Sequence, residues 1–156
     1  MTDIAAKVAG APLPSHIRPV LFSANELLLE MLRIAQSYAK VDLESLLVLL
    51  CVNDATMRPF MLTDSDLPLP TSAQIDEKLR GSISRRMIAD ETGLPRETVR
   101  RKADELVEAG LLIVDPEGRL RARPLLANAD AQANVDALHA AISRYQRRLV
   151  QFGVQG

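Results

Sequence analysis

Between positions 96 and 102 the chain sets Arg96, Glu97, Thr98, Arg100, Arg101 and Lys102 around one apolar residue, Val99. A guanidinium offers paired N–H donors that match guanine O6 and N7, and a carboxylate can accept from the cytosine amino group. Hydroxyls, cations and free backbone N–H groups at a helix start suit phosphate oxygens. All six are therefore suited to base edges or phosphates, with Thr98, Arg100 and Lys102 as phosphate candidates. The same charges could instead form a solvated helix face, so the flanking elements must decide between the two.

Those elements have definite requirements. Two short helices crossing tightly need a cap, small residues at the crossing and a sharp turn between them. Ser84 can cap the first helix and offers a hydroxyl to a phosphate; Ile88 points inward, and Ala89 is small where the second helix crosses. Gly93 suits a left-handed turn, Leu94 fills the space beneath it, and Pro95 sets the start of the second helix. Val99, Leu106 and Val107 then face inward, and Ala109-Gly110 ends the helix. Leu111 to Val114 reads as a strand, Asp115-Pro116-Glu117-Gly118 as a turn, and Arg119-Leu120-Arg121-Ala122-Arg123 as an alternating second strand. The spacing predicts a hairpin with Arg119, Arg121 and Arg123 on one side, aimed at a sugar-phosphate backbone.

With these residues in hand a resemblance is apparent. Residues 88–110 resemble the winged helix-turn-helix of bacterial regulators, and the run from Arg96 to Arg101 closely resembles the recognition helix of the cyclic-AMP receptor protein family. The resemblance implies that Arg96, Glu97 and Arg101 read bases and that Thr98 touches phosphate. It covers roughly 40 of the 156 residues. Lys102 departs from the pattern, standing where that family has an apolar core residue; its stem can be buried with its amine turned towards DNA. The residues before the head read as helices and lack the Gly-punctuated strands of a cyclic-nucleotide barrel, which excludes cyclic-AMP binding. In layout alone, helices before the head and a long one after it, the chain is similar to MarR-type dimeric regulators.

Residues 1–20, with Gly10, Pro12, Pro14 and Pro19, read as a loose arm without the basic end and apolar core of a secretory signal. Ser23 and Glu26 have capping-box spacing and Phe22 can staple onto Leu27, predicting a helix from there to about Lys40. A second helix starts on Asp42 as N-cap and runs to about Ala55. It is apolar nearly all round, so it is expected to be buried on several sides, within the subunit or across a dimer. Pro59, Pro68 and Pro70 mark a connection, with a short helix over 72–79 within it. The last helix, about 130–150, carries Val135, Leu138, Ile142, Tyr145 and Leu149 at alternating spacings of three and four. That stripe serves either its own subunit or a dimer seam, and two-fold symmetry favours the seam in a reader of DNA half-sites.

Leu and Ala dominate while aromatics make up 3%, which favours helix on helix over a sandwich or barrel. Net charge is −1, yet residues 80–123 hold ten Lys/Arg against eight Asp/Glu, so any DNA contact must come from an aimed face. Cys51 is the only cysteine, a buried thiol or a redox sensor, and no Cys/His cluster has metal-ligand spacing. His16 and His139 lack a nearby acid or nucleophile and no Gly-rich phosphate loop is present, which argues against an enzyme or a bound cofactor. The densest apolar run, residues 43–52, is too short to span a bilayer, and the chain reads as cytoplasmic.

The expected fold is mainly α: a winged helix-turn-helix with a two-stranded β wing, flanked by N-terminal helices and a long C-terminal helix. Its divisions are an arm (1–20), a helical support and dimerisation region (21–71), a head (72–126) and a dimerisation helix (127–156). The expected function is sequence-specific transcriptional regulation by a homodimer on an inverted repeat of double-stranded DNA. A protein-interaction module and a replication or partition factor are the alternatives. Residues 27–55 can enclose a small-molecule effector or form plain core, and both readings stay open.

Overall fold

A computed structural model of the chain describes residues 12–62, 71–72 and 75–154. Among them are five α-helices, α1 (Ile17–Ala39), α2 (Leu43–Met61), α3 (Arg85–Thr92), α4 (Arg96–Glu108) and α5 (Ala129–Gln151). A 3-10 turn at Glu77–Leu79 precedes α3, and an antiparallel hairpin of β1 (Leu112–Val114) and β2 (Leu120–Ala122) follows α4. The described residues divide into two compact units, one within 35–134 and one of 12–34 with 135–154.

The larger unit is built on α2. Asp42 caps that helix in extended conformation, its carboxylate accepting from the Ser45 N–H at 2.8 Å. Val48, Leu49 and Val52 pack with Ile83, with Ile88 and Ala89 of α3, with Val99, Ala103 and Leu106 of α4, and with Leu112 and Leu120 of the hairpin. The boundary expected near residue 71 therefore falls elsewhere: α2 shares a core with the head. Val48, Leu49 and Val52 of α2 belong to the same buried cluster as Ile88, Val99 and Leu106.

One expectation about α2 is corrected. The helix continues beyond Ala55 to Met61 with Pro59 inside, because a proline in the last turn forfeits only one helical bond. Within the single chain it is buried on one side, and Leu43, Leu47, Leu50, Met57 and Met61 are exposed. The extra length puts Thr56 to use. Its buried hydroxyl donates to the Val52 carbonyl at 2.7 Å and accepts from the Ala122 N–H at 2.9 Å, tying α2 to β2. Gly81 lies over the same turn, its N–H donating to the Thr56 carbonyl at 3.0 Å.

In the smaller unit, Phe22 meets Phe152 edge-on at 6.3 Å, Glu26 pairs with Arg148 at 3.1 Å, and Glu30 pairs with Arg144. Each step of four residues up α1 matches a step of four down α5, so the two helices run antiparallel. The expected capping box is not formed. α1 begins at Ile17 because Pro19 is tolerated in a first turn, which places Ser23 inside the helix, buried, and frees Glu26 for Arg148. Residues 12–20 thus lead into a helix and are no loose arm; residues 1–11 lie outside the described residues. So do Pro68, Pro70 and positions 73–74, while the helix expected over 72–79 is reduced to the 3-10 turn.

Candidate nucleic-acid interface

The α3–α4 corner forms as its residue types require. The Ser84 hydroxyl accepts from the Met87 N–H at 3.2 Å and caps α3. α3 ends on Gly93 at φ +72°, a left-handed conformation that glycine adopts without penalty. Pro95 acts as the N-cap of α4, one position before the helix, and fixes the start at Arg96. Val99, Ala103 and Leu106 are buried, so the helical period turns positions 97, 101, 104 and 108 directly away from the core.

On the exposed side the candidates differ in what they already hold. Arg96 is exposed and carries no side-chain partner among the described residues. Glu97 is exposed but is joined to Arg100 at 2.5 Å, which draws its carboxyl below the usual range. Arg101 donates to Glu105 at 3.1 Å and lies 3.9 Å from Glu44. Thr98 is half-buried, and Arg100 reaches Asp104 at 3.5 Å as well as Glu97. In sum α4 holds four cations and one carboxylate from Arg96 to Lys102, then three carboxylates, Asp104, Glu105 and Glu108.

Lys102 is corrected. Only 6% of its side chain is exposed, and its amine is hydrogen-bonded to the Asp42 carboxylate, with Glu105 at 3.5 Å and Glu44 at 4.0 Å. It lies one position before buried Ala103, so its stem runs inward and its charge ends at the start of α2; it cannot serve a phosphate. The pair has a pH signature. Lys102, and secondarily the Ser45 N–H, hold the Asp42 carboxyl down at about 2, while an unfolded aspartate titrates near ~3.9. A folded value below the unfolded one means stabilisation that is complete above pH ~4 and is lost as pH falls towards 2. Asp42→Asn keeps a good N-cap but not the charge, so acid unfolding followed by circular dichroism is expected to fall less steeply in that window than for the unaltered chain. Identical acid limbs would remove this role from the pair.

The hairpin is braced from within. Ile83 and Leu120 exchange backbone hydrogen bonds at 3.0 and 2.8 Å, adding a third short segment to its edge. Buried Asp115 accepts from the Glu117 and Arg119 N–H groups at 3.1 and 2.8 Å. Burial pushes its carboxyl up, but these bonds, the Ser82 hydroxyl and Arg121 together carry it below the usual value. Leu120 and Ala122 are buried and the arginines alternate outward, but two of the three are engaged. Arg119 donates to the Ser82 hydroxyl and carbonyl at 2.9 and 2.7 Å, and Arg121 lies between Asp115 and Glu77 at 3.7 and 3.5 Å. The expectation of three free wing cations is thereby corrected: Arg123 alone of them is exposed with no side-chain partner among the described residues. An arginine that lies along its own hairpin can satisfy a nearby carboxylate more readily than a distant phosphate.

Cys51 donates to Glu91 at 3.2 Å, and burial followed by that carboxylate pushes its thiol up to about 12, so it stays protonated at neutral pH. Of the stretch 27–55, Leu46, Val48, Leu49 and Val52 are core. A cavity of about 50 Å³ in the smaller unit is lined by Ser23, Glu26, Tyr145 and Arg148 among others; it has room for water rather than for a drug-sized ligand. Along the candidate seam, Val135 and Ile142 are exposed while Leu138, Tyr145 and Leu149 are half-buried, Tyr145 facing α1. No helix among the described residues is long and apolar enough to cross a membrane.

Sequence reasoning passed over Asp104. Its spacing from Arg100 marks one ion pair, but its stronger partner, Arg85, is on another helix. No family model, no curated protein and no solved structure matches the chain.

Proposed function

We propose that the chain is a sequence-specific DNA-binding transcriptional regulator, with α3, α4 and the hairpin forming a winged helix-turn-helix that works as a dimer on an inverted repeat. The observation that carries this reading is the first half of α4. Three exposed arginines, Arg96, Arg100 and Arg101, gather with a single carboxylate towards the positive end of a helix dipole, behind a left-handed turn that leaves Arg96 unpaired in solvent. The second half of the helix is acidic, so a phosphate backbone is met by the N-terminal turns. Arg96, Glu97 and Arg101 are the base readers in this reading. Ser84, Thr98 and Arg100 serve phosphates, and Arg123 is the cation of the wing. The dimer draws its support from Val135 and Ile142, large apolar side chains exposed on α5.

A protein-docking module is the second reading, favoured by the exposed stripe Leu43, Leu47, Leu50, Met57 and Met61 on α2. Fluorescence-anisotropy titration against a pool of random duplexes at two salt concentrations separates them. Saturable binding that weakens as salt rises, with a log–log slope of about −0.9 per phosphate contact, is expected for the regulator. A folded sample that leaves the pool unbound even at low salt would transfer the weight to the docking module.

A further inference from the structure

Asp104 stands on the outermost stripe of α4 between cations from two helices. One carboxylate oxygen accepts from Arg85 of α3 at 2.9 Å, and the other lies 3.5 Å from Arg100. Arg85 also reaches the Gly118 carbonyl in the hairpin turn at 3.4 Å. Glu97 closes on the far side of Arg100 with contacts of 3.0 and 2.5 Å. Two arginines that border the candidate reading face are thus neutralised within the chain, and the group that neutralises both is itself half-exposed towards whatever α4 meets.

We propose that Asp104 is a specificity-determining residue, one that suppresses binding to arbitrary DNA sequence by holding Arg85 and Arg100 in internal ion pairs. The proposal rests on the reading of α4 as the DNA-reading helix. Attraction to phosphate is independent of sequence and scales with the cations free to displace counterions. A cation already paired must first leave its carboxylate, and that carboxylate then repels the backbone. On a matching site the base contacts made by the first turn of α4 fix a docked position in which Arg85 stays with Asp104; on arbitrary sequence binding rests on phosphate contacts alone, and drawing on Arg85 means breaking its pair. Asp104 therefore weakens random binding more than specific binding, which is discrimination by a built-in repulsive element. Ion pairs this exposed add little to folding, so the role is separable from stability.

The test is Asp104→Asn, which keeps the size and loses the charge. Anisotropy is measured against one arbitrary duplex over a salt series, and against duplexes that the unaltered protein has retained from a random pool, with thermal melts alongside. The expected result is arbitrary-duplex affinity raised about tenfold at low salt, with a salt slope steeper by about 1–2. Retained duplexes gain less, so the ratio between the two falls. Asp104→Glu restores the original slope, and in an Arg85→Gln/Arg100→Gln background Asp104→Asn changes nothing. A merely structural role would shift the melt and leave the slope alone. An unchanged slope in a folded Asp104→Asn, or in the glutamine background an effect as large as before, overturns the proposal while the DNA reading stands. Failure of both unaltered and variant chains to bind any duplex overturns the two together.

Discussion

Gly81→Ala is expected to lower unfolding stability by about 1–3 kcal/mol, the range for an atom forced into a packed interior. A Cβ at that position would lie 2.1 Å from the Ala55 carbonyl oxygen and 2.9 Å from the Pro59 ring. Neither neighbour yields cheaply, because one is helix backbone and the other is a closed ring. Moving residue 81 away instead breaks its N–H bond to the Thr56 carbonyl and drags on Ile83, two residues later, which is bonded to Leu120 in both directions. The expected loss is large against a typical total of about 5–15 kcal/mol. Chemical denaturation at equilibrium measures it. A midpoint equal to that of the unaltered chain would mean that α2 and the segment before α3 do not press together, and the shared core described above would need revision.

Arg96→Ala is expected to remove about 1–3 kcal/mol of discrimination between a retained duplex and a scrambled one, roughly the worth of one bidentate base contact. Arg101→Ala is expected to cost less. Arg101 must leave Glu105 and the neighbourhood of Glu44 before it can reach a base edge, whereas Arg96 has nothing to leave. Competition titrations with the two duplexes give the difference directly. If both variants weakened the retained and scrambled duplexes equally, the two arginines would be phosphate contacts and the assignment of base readers would fail.

What the sequence reveals of this molecule is what its neighbours along the chain decide. Ser84, Gly93, Gly110 and the Asp115–Gly118 turn each carry their own local chemistry, and each takes the conformation its residue type prefers. The start of α1 misleads because Ser23 and Glu26 have the spacing of a cap while Pro19, which resembles a break, fits a first turn. Contacts remote in sequence are invisible in spacing. Lys102 ends on Asp42, sixty positions away, and the Thr56 hydroxyl on Ala122, sixty-six away. Arg85 and Asp104 are nineteen apart on separate helices. The exposed stripe of α4 is legible from its period, but which of its cations are free depends on these pairings. The stripe on α5 has a similar ambiguity, since a period of three and four residues is the same whether the partner belongs to one subunit or two.

The clasp on Ala122 bears on the proposed role of the hairpin. Its N–H is held by the Thr56 hydroxyl, and its carbonyl accepts from the buried guanidinium of Arg80. A hairpin with three-residue strands has little rigidity of its own, so here it is stiffened from outside, by α2 and by the segment before α3. Arg119 and Arg121 lie along that fixed frame with their rotamers already chosen. Side-chain freedom of this kind ordinarily disappears on contact and weakens association. For these two it disappears while the chain folds, so in the proposed DNA complex the hairpin would carry the ordering cost of one arginine, Arg123, and not of three.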